Sequence, residues 1–327
     1  MTLRFHPSCR AASSLLAATL LLTACADGAP PITGPAESLA FSRPQAVPPV
    51  ALRPQLLVST DWLADNLDRQ NVVVLHFGTL ASYTAGHIPG ASFVNLPALQ
   101  PAQNGVSTIL LDDEQLRTAI QAAGVSTSRH VIVSGDNITA ATRGFFILDY
   151  LGHPRVSLLD GGTVAWRAAG LPVSTQVETP TPGSMVTPTR PERLATWDWV
   201  LAALGNEDVT LLDARPFAEY AGTANPTANP PRKGHIPGAH SVFWQQFIIS
   251  TANPVLKDPE ILRQLVAETG ATLNSTVVTY CFSGMLSSVA YFVARYLGYD
   301  AKLYDGSMFE WSPRTDLPIA TCETPWC

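Results

Sequence analysis

The sequence predicts an α/β protein of two tandem halves, each a small, mainly parallel sheet flanked by helices. Three observations predict it. Short β-branched runs alternate with helical stretches along most of the chain. The runs "VVVL", "HVIV", "VTLL" and "TVVTY" are apolar on successive residues, as strands buried on both faces of a parallel sheet are. The order of motifs in the first half then recurs in the second, so one α/β unit is present twice.

The repeat is read directly. The first half has "NVVVLHFG", Tyr83, "GHIPGA", "HVIVSGDN", "FFILDYLGH" and "LLDGGTVAW". The second has "DVTLLDAR", Tyr220, "GHIPGAH", "STVVTYCFSG", "YFVARYLGY" and "LYDGSMFEW". In each copy a strand run leads through a Gly/Pro turn to a helix, another strand and another helix. The helices are expected to cover the sheets with one apolar face; Val289, Phe292, Val293, Tyr296 and Leu297 recur at helical spacing. His87 and His235 lie inside the "GHIPGA" turns and read as turn-stabilising. The tryptophans of "DGGTVAW" and "DGSMFEW" are expected to pack helix ends against the sheets.

The chain has 327 residues, enough for two ordinary domains. Apolar residues make up 46 % and charged residues 14 %, so sizeable cores are expected. The net charge is −6 and there is no run of Lys or Arg, which argues against nucleic acid as a partner. No sign of oligomerisation is legible, and a monomer is expected.

The first residues have the layout of a secretory signal: Arg4 and Arg10, then an uncharged apolar run from Ala11 to Ala24, short for a membrane-spanning helix. The end of that run, Leu22-Thr23-Ala24-Cys25, resembles the bacterial lipobox. The resemblance implies cleavage before Cys25 and acylation of Cys25, which would anchor the protein to a membrane of the cell envelope, facing the periplasm. Ala26 favours the outer membrane. The expected organisation is a signal peptide over 1–24, a flexible Pro-rich tether over 25–53, a first domain over 54–175, a linker over 176–192 and a second domain over 193–327.

The five cysteines sort by this layout. By the lipobox resemblance, Cys9 would leave with the signal and Cys25 would carry lipid. Cys322 and Cys327 lie close together in "CETPWC" and read as a disulfide in a compartment where disulfides persist; a reactive pair that services Cys281 is the alternative. Cys281 is left as an unpaired thiol in an exported protein.

The series D-x-R, E-Y, GHIPGA, YC-x-x-G, LGY and DGS-x-x-EW in the second half resembles the rhodanese domain. The tandem arrangement resembles the two-domain thiosulfate and 3-mercaptopyruvate sulfurtransferases, from about Leu56 to Pro318. In such enzymes only the second copy carries the cysteine. Here, aligning "YLGH" with "YLGY" sets Gly135 opposite Cys281. Aligning Tyr83 with Tyr220 sets His76, Gly78 and Ser82 opposite Asp213, Arg215 and Glu219. The resemblance therefore implies an inactive first domain that packs against an active second one.

The residues around Cys281 support that chemistry on their own. Cys281 follows an apolar strand and precedes a helix, at the carboxyl edge of the sheet, where open α/β folds bind ligands. The loop Phe282, Ser283, Gly284, Met285, Leu286 and Ser287 is expected to curl with its N–H groups inward, Gly284 adopting positive φ. Those amides and the following helix N-terminus favour a thiolate and an anionic substrate. Ser283, Ser287 and Ser288 add hydroxyls, and Ser287 or Ser288 is expected to cap the helix. A phosphatase loop would need Arg six residues after the cysteine to grip phosphate with its fork; that position is Ser287.

The resemblance implies a sulfurtransferase. Cys281 would take the outer sulfur of thiosulfate or a related small anionic donor, and pass it to cyanide or a thiol, with ping-pong kinetics and neither metal nor organic cofactor. The loop itself is uncharged from Phe282 to Ser288, as loops of the 3-mercaptopyruvate branch also are, although there the residue after the cysteine is small. Positive charge would then come from Arg215, unless the Asp213–Arg215 pair mainly orients the loop; Arg232 and Lys233, in the insertion before His235, are further candidates, although they read first as solvated loop charges. The competing readings are a 3-mercaptopyruvate sulfurtransferase, a non-catalytic envelope sulfur carrier, and a structural protein with Cys281 in its core.

Overall fold

The computed structural model describes residues 52–322 apart from 104, 105, 107, 136 and 225–231. The signal peptide, nearly all of the tether, Cys25 and Cys327 lie outside the described residues.

Each half holds one five-stranded sheet whose pairings are all parallel. The first contains β1 (Leu57–Val58), β2 (Val72–Gly78), β3 (Ser92–Asn95), β4 (His130–Ser134) and β5 (Val156–Leu159), in the order β1-β5-β4-β2-β3. The second contains β6 (Leu194–Ala195), β7 (Val209–Asp213), β8 (His240–Ser241), β9 (Thr276–Tyr280) and β10 (Asp300–Tyr304), in the order β6-β10-β9-β7-β8. The order is the same, and so is the register. Val72 faces His130 as Val209 faces Thr276, and His76 faces Ser134 as Asp213 faces Tyr280.

The turns repeat atom by atom. Tyr83 Oη donates to Ala91 O and Tyr220 Oη to Ala239 O, at 2.8 and 2.7 Å. His87 stacks on Tyr83 and His235 on Tyr220, each ring's Nδ1 lying 2.8 Å from that tyrosine's own carbonyl. Both histidines are thus built into the turn. Trp166 and Trp311 are buried and donate their indole N–H to Pro172 O and Pro318 O.

The halves meet along two helices, Ile138–Tyr150 and Ser287–Tyr296. The sequence reading gave the second helix one apolar side. The structure corrects this: all ten of its residues are buried, because the first half covers the side that the sheet leaves. Contacts across this seam come in pairs related by the repeat. Phe145 packs edge-on against Phe292, and Phe146 against Tyr291, at 4.8 and 5.0 Å between centroids. Each such ring pair adds about 0.5–1.5 kcal/mol to the burial of its area. Thr142 meets Ser288, its counterpart 146 residues on, at 2.9 Å. Asp149 accepts a 2.9 Å bond from Nε of its own counterpart, Arg295. Leu110 N donates to Asp305 Oδ2 while Leu256 N donates to Asp160 Oδ1, both at 2.9 Å. The two copies are therefore related by a local two-fold relation through these helices.

Residues 176–192 were expected to read as a linker. They pack back on the first half: Met185 is buried and its carbonyl accepts from Gln121 Nε2 at 3.1 Å, while Arg117 donates to Thr187 and Thr189. Cys322 is disulfide-bonded; Cys327, its expected partner, lies outside the described residues.

Candidate active site around Cys281

β9 lies between β10 and β7 and delivers Cys281 to the carboxyl edge of the second sheet. Cys281 is a free thiol and fully buried. Gly284 has φ +76°, so the chain turns sharply after the cysteine, as its sequence position predicts.

One side chain from the far end of β10 organises the turn. Ser307 Oγ accepts from both Cys281 N and Gly284 N at 3.1 Å, and donates to Tyr304 O at 2.8 Å. Ser307 adopts φ +50°, a left-handed conformation that costs a non-glycine residue about 1–2 kcal/mol. The first half has Gly162 at the equivalent place with φ +55°. The strain is thus accepted only in the copy where a hydroxyl is needed to hold the cysteine loop.

The remaining loop amides point elsewhere. Ser283 N donates to Cys281 Sγ at 3.5 Å. The amides of Met285, Leu286, Ser287 and Ser288 have no acceptor among the described residues. They stand at the N-terminus of the Ser287–Tyr296 helix, where such groups favour negative charge. Neither Ser287 nor Ser288 caps this helix, contrary to the sequence reading: Leu286 is the cap residue. Ser288 Oγ instead donates to Met285 O and meets Thr142, and Ser287 Oγ is buried without a partner.

Asp213 and Arg215 form a buried two-toothed pair, with Arg215 Nε and Nη2 on the carboxylate and Nη2 also on Gly234 O at 2.8 Å. Burial pulls the Arg215 guanidinium down, but Asp213 outweighs it and holds the group above its usual range. Burial, then Asp213, pushes the Tyr280 phenol well up. Arg215 reaches the loop through the Phe282 ring, 5.2 Å from its centroid. This is the loop-orienting arrangement. Arg232 donates to the carbonyls of Trp311, Ser312, Arg314 and Leu317, closing the end of the Ser307–Trp311 helix. That commitment corrects the reading of Arg232 as a solvated loop charge and leaves its guanidinium engaged by carbonyls rather than offered to an anion. Lys233 is exposed.

A family model described as the rhodanese-like domain matches residues 59–169 and again 196–314. The chain belongs to the rhodanese-like family. It is similar to the sulfur carrier protein TtuD of Thermus thermophilus, 33 % identical over 285 residues that cover 83 % of this chain and 98 % of that one. It is similar to the thiosulfate sulfurtransferase of Azotobacter vinelandii, 30 % identical over 81 % of this chain and 96 % of the relative. Among solved structures, the 3-mercaptopyruvate sulfurtransferase SseA of Escherichia coli superposes with a TM-score of 0.68 at 26 % identity, covering 77 % and 98 % of the two chains. The relatives support sulfurtransferase activity for this tandem rhodanese protein.

The two rhodanese domains differ at the cysteine position for a steric reason. Thr163 N donates to Gly135 O as Met308 N donates to Cys281 O, so Gly135 stands where Cys281 does. A Cβ on Gly135 would lie 2.6 Å from Phe77 O, so that place admits no side chain. The first domain contributes in another way, which the sequence reading missed. Arg143, fully buried, donates from Nε to Gln100 and from Nη2 to Thr108 O and to Asp305, with which it forms an ion pair. Its Nη1 is buried without a hydrogen-bond partner and faces Gly284. Thr108 Oγ1 also donates to Ser283 O at 2.8 Å, and Gln100 Nε2 to Met285 Sδ at 3.1 Å. The first rhodanese domain thus grips the cysteine loop of the second at three points. The signal for Ser307 was legible as "DGS" against "DGG"; Arg143 lacked one, since its counterpart is Val289 in the seam.

Proposed function

We propose that this rhodanese-like protein moves sulfane sulfur from thiosulfate, or a related small anionic donor, to cyanide or a thiol through a persulfide on Cys281. The thiolate attacks the outer sulfur of S–SO₃²⁻. The new Cys–S–S bond forms, the donor's S–S bond breaks, and sulfite leaves with the bonding pair. Cyanide then takes the terminal sulfur as thiocyanate and returns the thiolate. The observation that carries this reading is the setting of Cys281 Sγ. It is shut away from water, receives the Ser283 N–H, and lies in a loop whose amides from Met285 to Ser288 have no acceptor among the described residues. Those donors suit both a thiolate and an anionic donor.

Intact mass after incubation with thiosulfate tests it. Wild type should gain one sulfur and Cys281→Ser none; no gain on wild type with thiosulfate or with 3-mercaptopyruvate overturns the reading. The uncharged stretch from Phe282 to Ser288 favours a second donor, 3-mercaptopyruvate, from which the same persulfide would form with release of pyruvate. Thiocyanate production from each donor in turn separates the two. We further propose, from Leu22-Thr23-Ala24-Cys25, that acylated Cys25 holds the protein at the outer membrane facing the periplasm. Cys25→Ala should then release it from the membrane fraction; retention there counts against the anchor.

A further inference from the structure

The cysteine loop sits at the N-terminus of the Ser287–Tyr296 helix. About 12 Å away, at the other end of that helix, is a cavity of about 430 Å³ that none of the cysteine-loop residues lines. Its walls come from both halves. They include four arginines, Arg53, Arg190, Arg193 and Arg295, against one carboxylate, Asp149.

The cluster is a product of the repeat. Arg53 precedes Pro54 as Arg190 precedes Pro191. Arg53 N donates to Tyr296 O of the second half and Arg190 N, at the end of the linker, to the equivalent Tyr150 O of the first, at 2.8 and 2.7 Å. Their side chains consequently arrive at one place from two sides, above the Asp149–Arg295 contact. Arg193 joins them from the start of the second half.

These guanidiniums are poorly satisfied by the protein. Each has one nitrogen in a hydrogen bond to a described residue. Arg53 Nη2 is on Gly298 O, Arg190 Nη1 on Asp149 Oδ1, Arg193 Nη1 on Asp300 Oδ1, and Arg295 Nε on Asp149 Oδ2. Arg295 is only 7 % exposed, and its Nη1 and Nη2 have no partner among the described residues. Arg193 Nε is buried without a hydrogen bond, 4.0 Å from Asp149 Oδ2. The mutual repulsion is visible on Arg53, held below its usual range by burial and then by Arg295 and Arg193. Burial also lowers His153, which keeps it neutral near pH 7. The carbonyl ends of the two helices offset only part of this charge, about half an elementary charge each.

We propose that this cavity binds a dianionic phosphoryl group, gripped by the forks of Arg53, Arg190, Arg193 and Arg295, and that the bound anion ties the two halves together. Guanidinium forks match tetrahedral oxyanions two bonds at a time. The cavity is larger than one oxyanion needs, and Phe145, Pro154 and Val156 give it an apolar wall. A phosphomonoester with a small organic part therefore fits as well as free phosphate.

Thermal unfolding and titration calorimetry on the full chain test this, with inorganic phosphate, AMP and sodium chloride at matched ionic strength. Phosphate or AMP should raise Tm by several degrees more than chloride, at one site per chain. A response to phosphate identifies the free anion and a response to AMP alone the ester; both support the site. Arg53→Lys keeps the charge and should weaken binding about 10-fold or more, and Arg53→Gln with Arg193→Gln should abolish it. Stabilisation no greater than that of chloride overturns the proposal. So does affinity unchanged in Arg53→Lys or in the double variant.

Discussion

Arg143 of the first half ends against Gly284 of the second: a Cβ on Gly284 would lie 2.9 Å from Arg143 Nη1 and equally close to Asp305 Oδ1. The domain that lacks a cysteine therefore supplies a buried cation that abuts the cysteine loop. The ion pair with Asp305 is almost wholly out of water, with side-chain exposures of 0 % and 9 %. Such a pair is costly to break from one side, because the survivor is left buried and uncompensated. Arg143→Met should destabilise the protein by about 3–5 kcal/mol. Arg143→Lys keeps the charge but loses the fork. It should fold, and its kcat for thiocyanate formation should fall about 10- to 100-fold while KM for the donor moves little, as expected for a residue that positions the loop. A well-folded Arg143→Lys enzyme with wild-type kcat contradicts that role.

Gly284 is required twice over, once by φ +76° and once by its two close neighbours. Gly284→Ala should cost at least about 1–2 kcal/mol from the backbone alone. It should also slow sulfur loading of Cys281, followed by stopped-flow release of sulfite. An alanine variant that loads at the wild-type rate would show that the Arg143–loop contact is not needed in its present form.

Much of this was legible beforehand. The sheets, their buried strands and the doubling follow from continuous apolar runs in a fixed motif order, and the register later agreed residue by residue, with His76 against Ser134 as Asp213 is against Tyr280. Gly284's conformation followed from its place between strand and helix. Arg143, Thr108 and Gln100 were not legible, because they meet the loop only when two helices far apart in sequence pack, and nothing local marks them. The Ser287–Tyr296 helix was misread for a related reason. Its apolar period reports the sheet it covers, while Ser288 and Arg295, polar by composition, are buried by partners on the other half.

Ser307 separates hydrogen bonding from backbone strain. Ser307→Ala keeps the strained φ and leaves the amides of Cys281 and Gly284 without their acceptor, which should cost about 1–3 kcal/mol. Ser307→Gly loses the same bonds but relieves the backbone, so it should be more stable than the alanine variant by about 1 kcal/mol. Both should load sulfur more slowly than wild type, and to a similar degree, since both free the loop. Denaturant melts and persulfide mass spectra check the two halves of this statement. A fully active glycine variant would leave Ser307 with no part in holding the cysteine.

His76 occupies the place of Asp213 in the first half and is fully buried, with neither ring nitrogen hydrogen-bonded. Burial, then the neighbouring His87 and Arg167, lowers its pKa to about 4. In the unfolded chain it titrates near 6.5. Between those values the unfolded state holds a proton that the folded state refuses, so stability rises with pH there. The contribution is complete above about pH 6.5 and is lost as pH falls toward 4, amounting to about 3 kcal/mol across the window. His130, His153, His235 and His240 are lowered by burial in the same direction, so the wild-type slope is a sum. His76→Leu isolates one part of it. The variant should fold, and between pH 6.5 and 4 it should lose stability less steeply than wild type by about that amount, measured by urea unfolding at intervals of pH. Equal slopes in the two proteins would mean that His76 is protonated in the folded protein as readily as in the unfolded one.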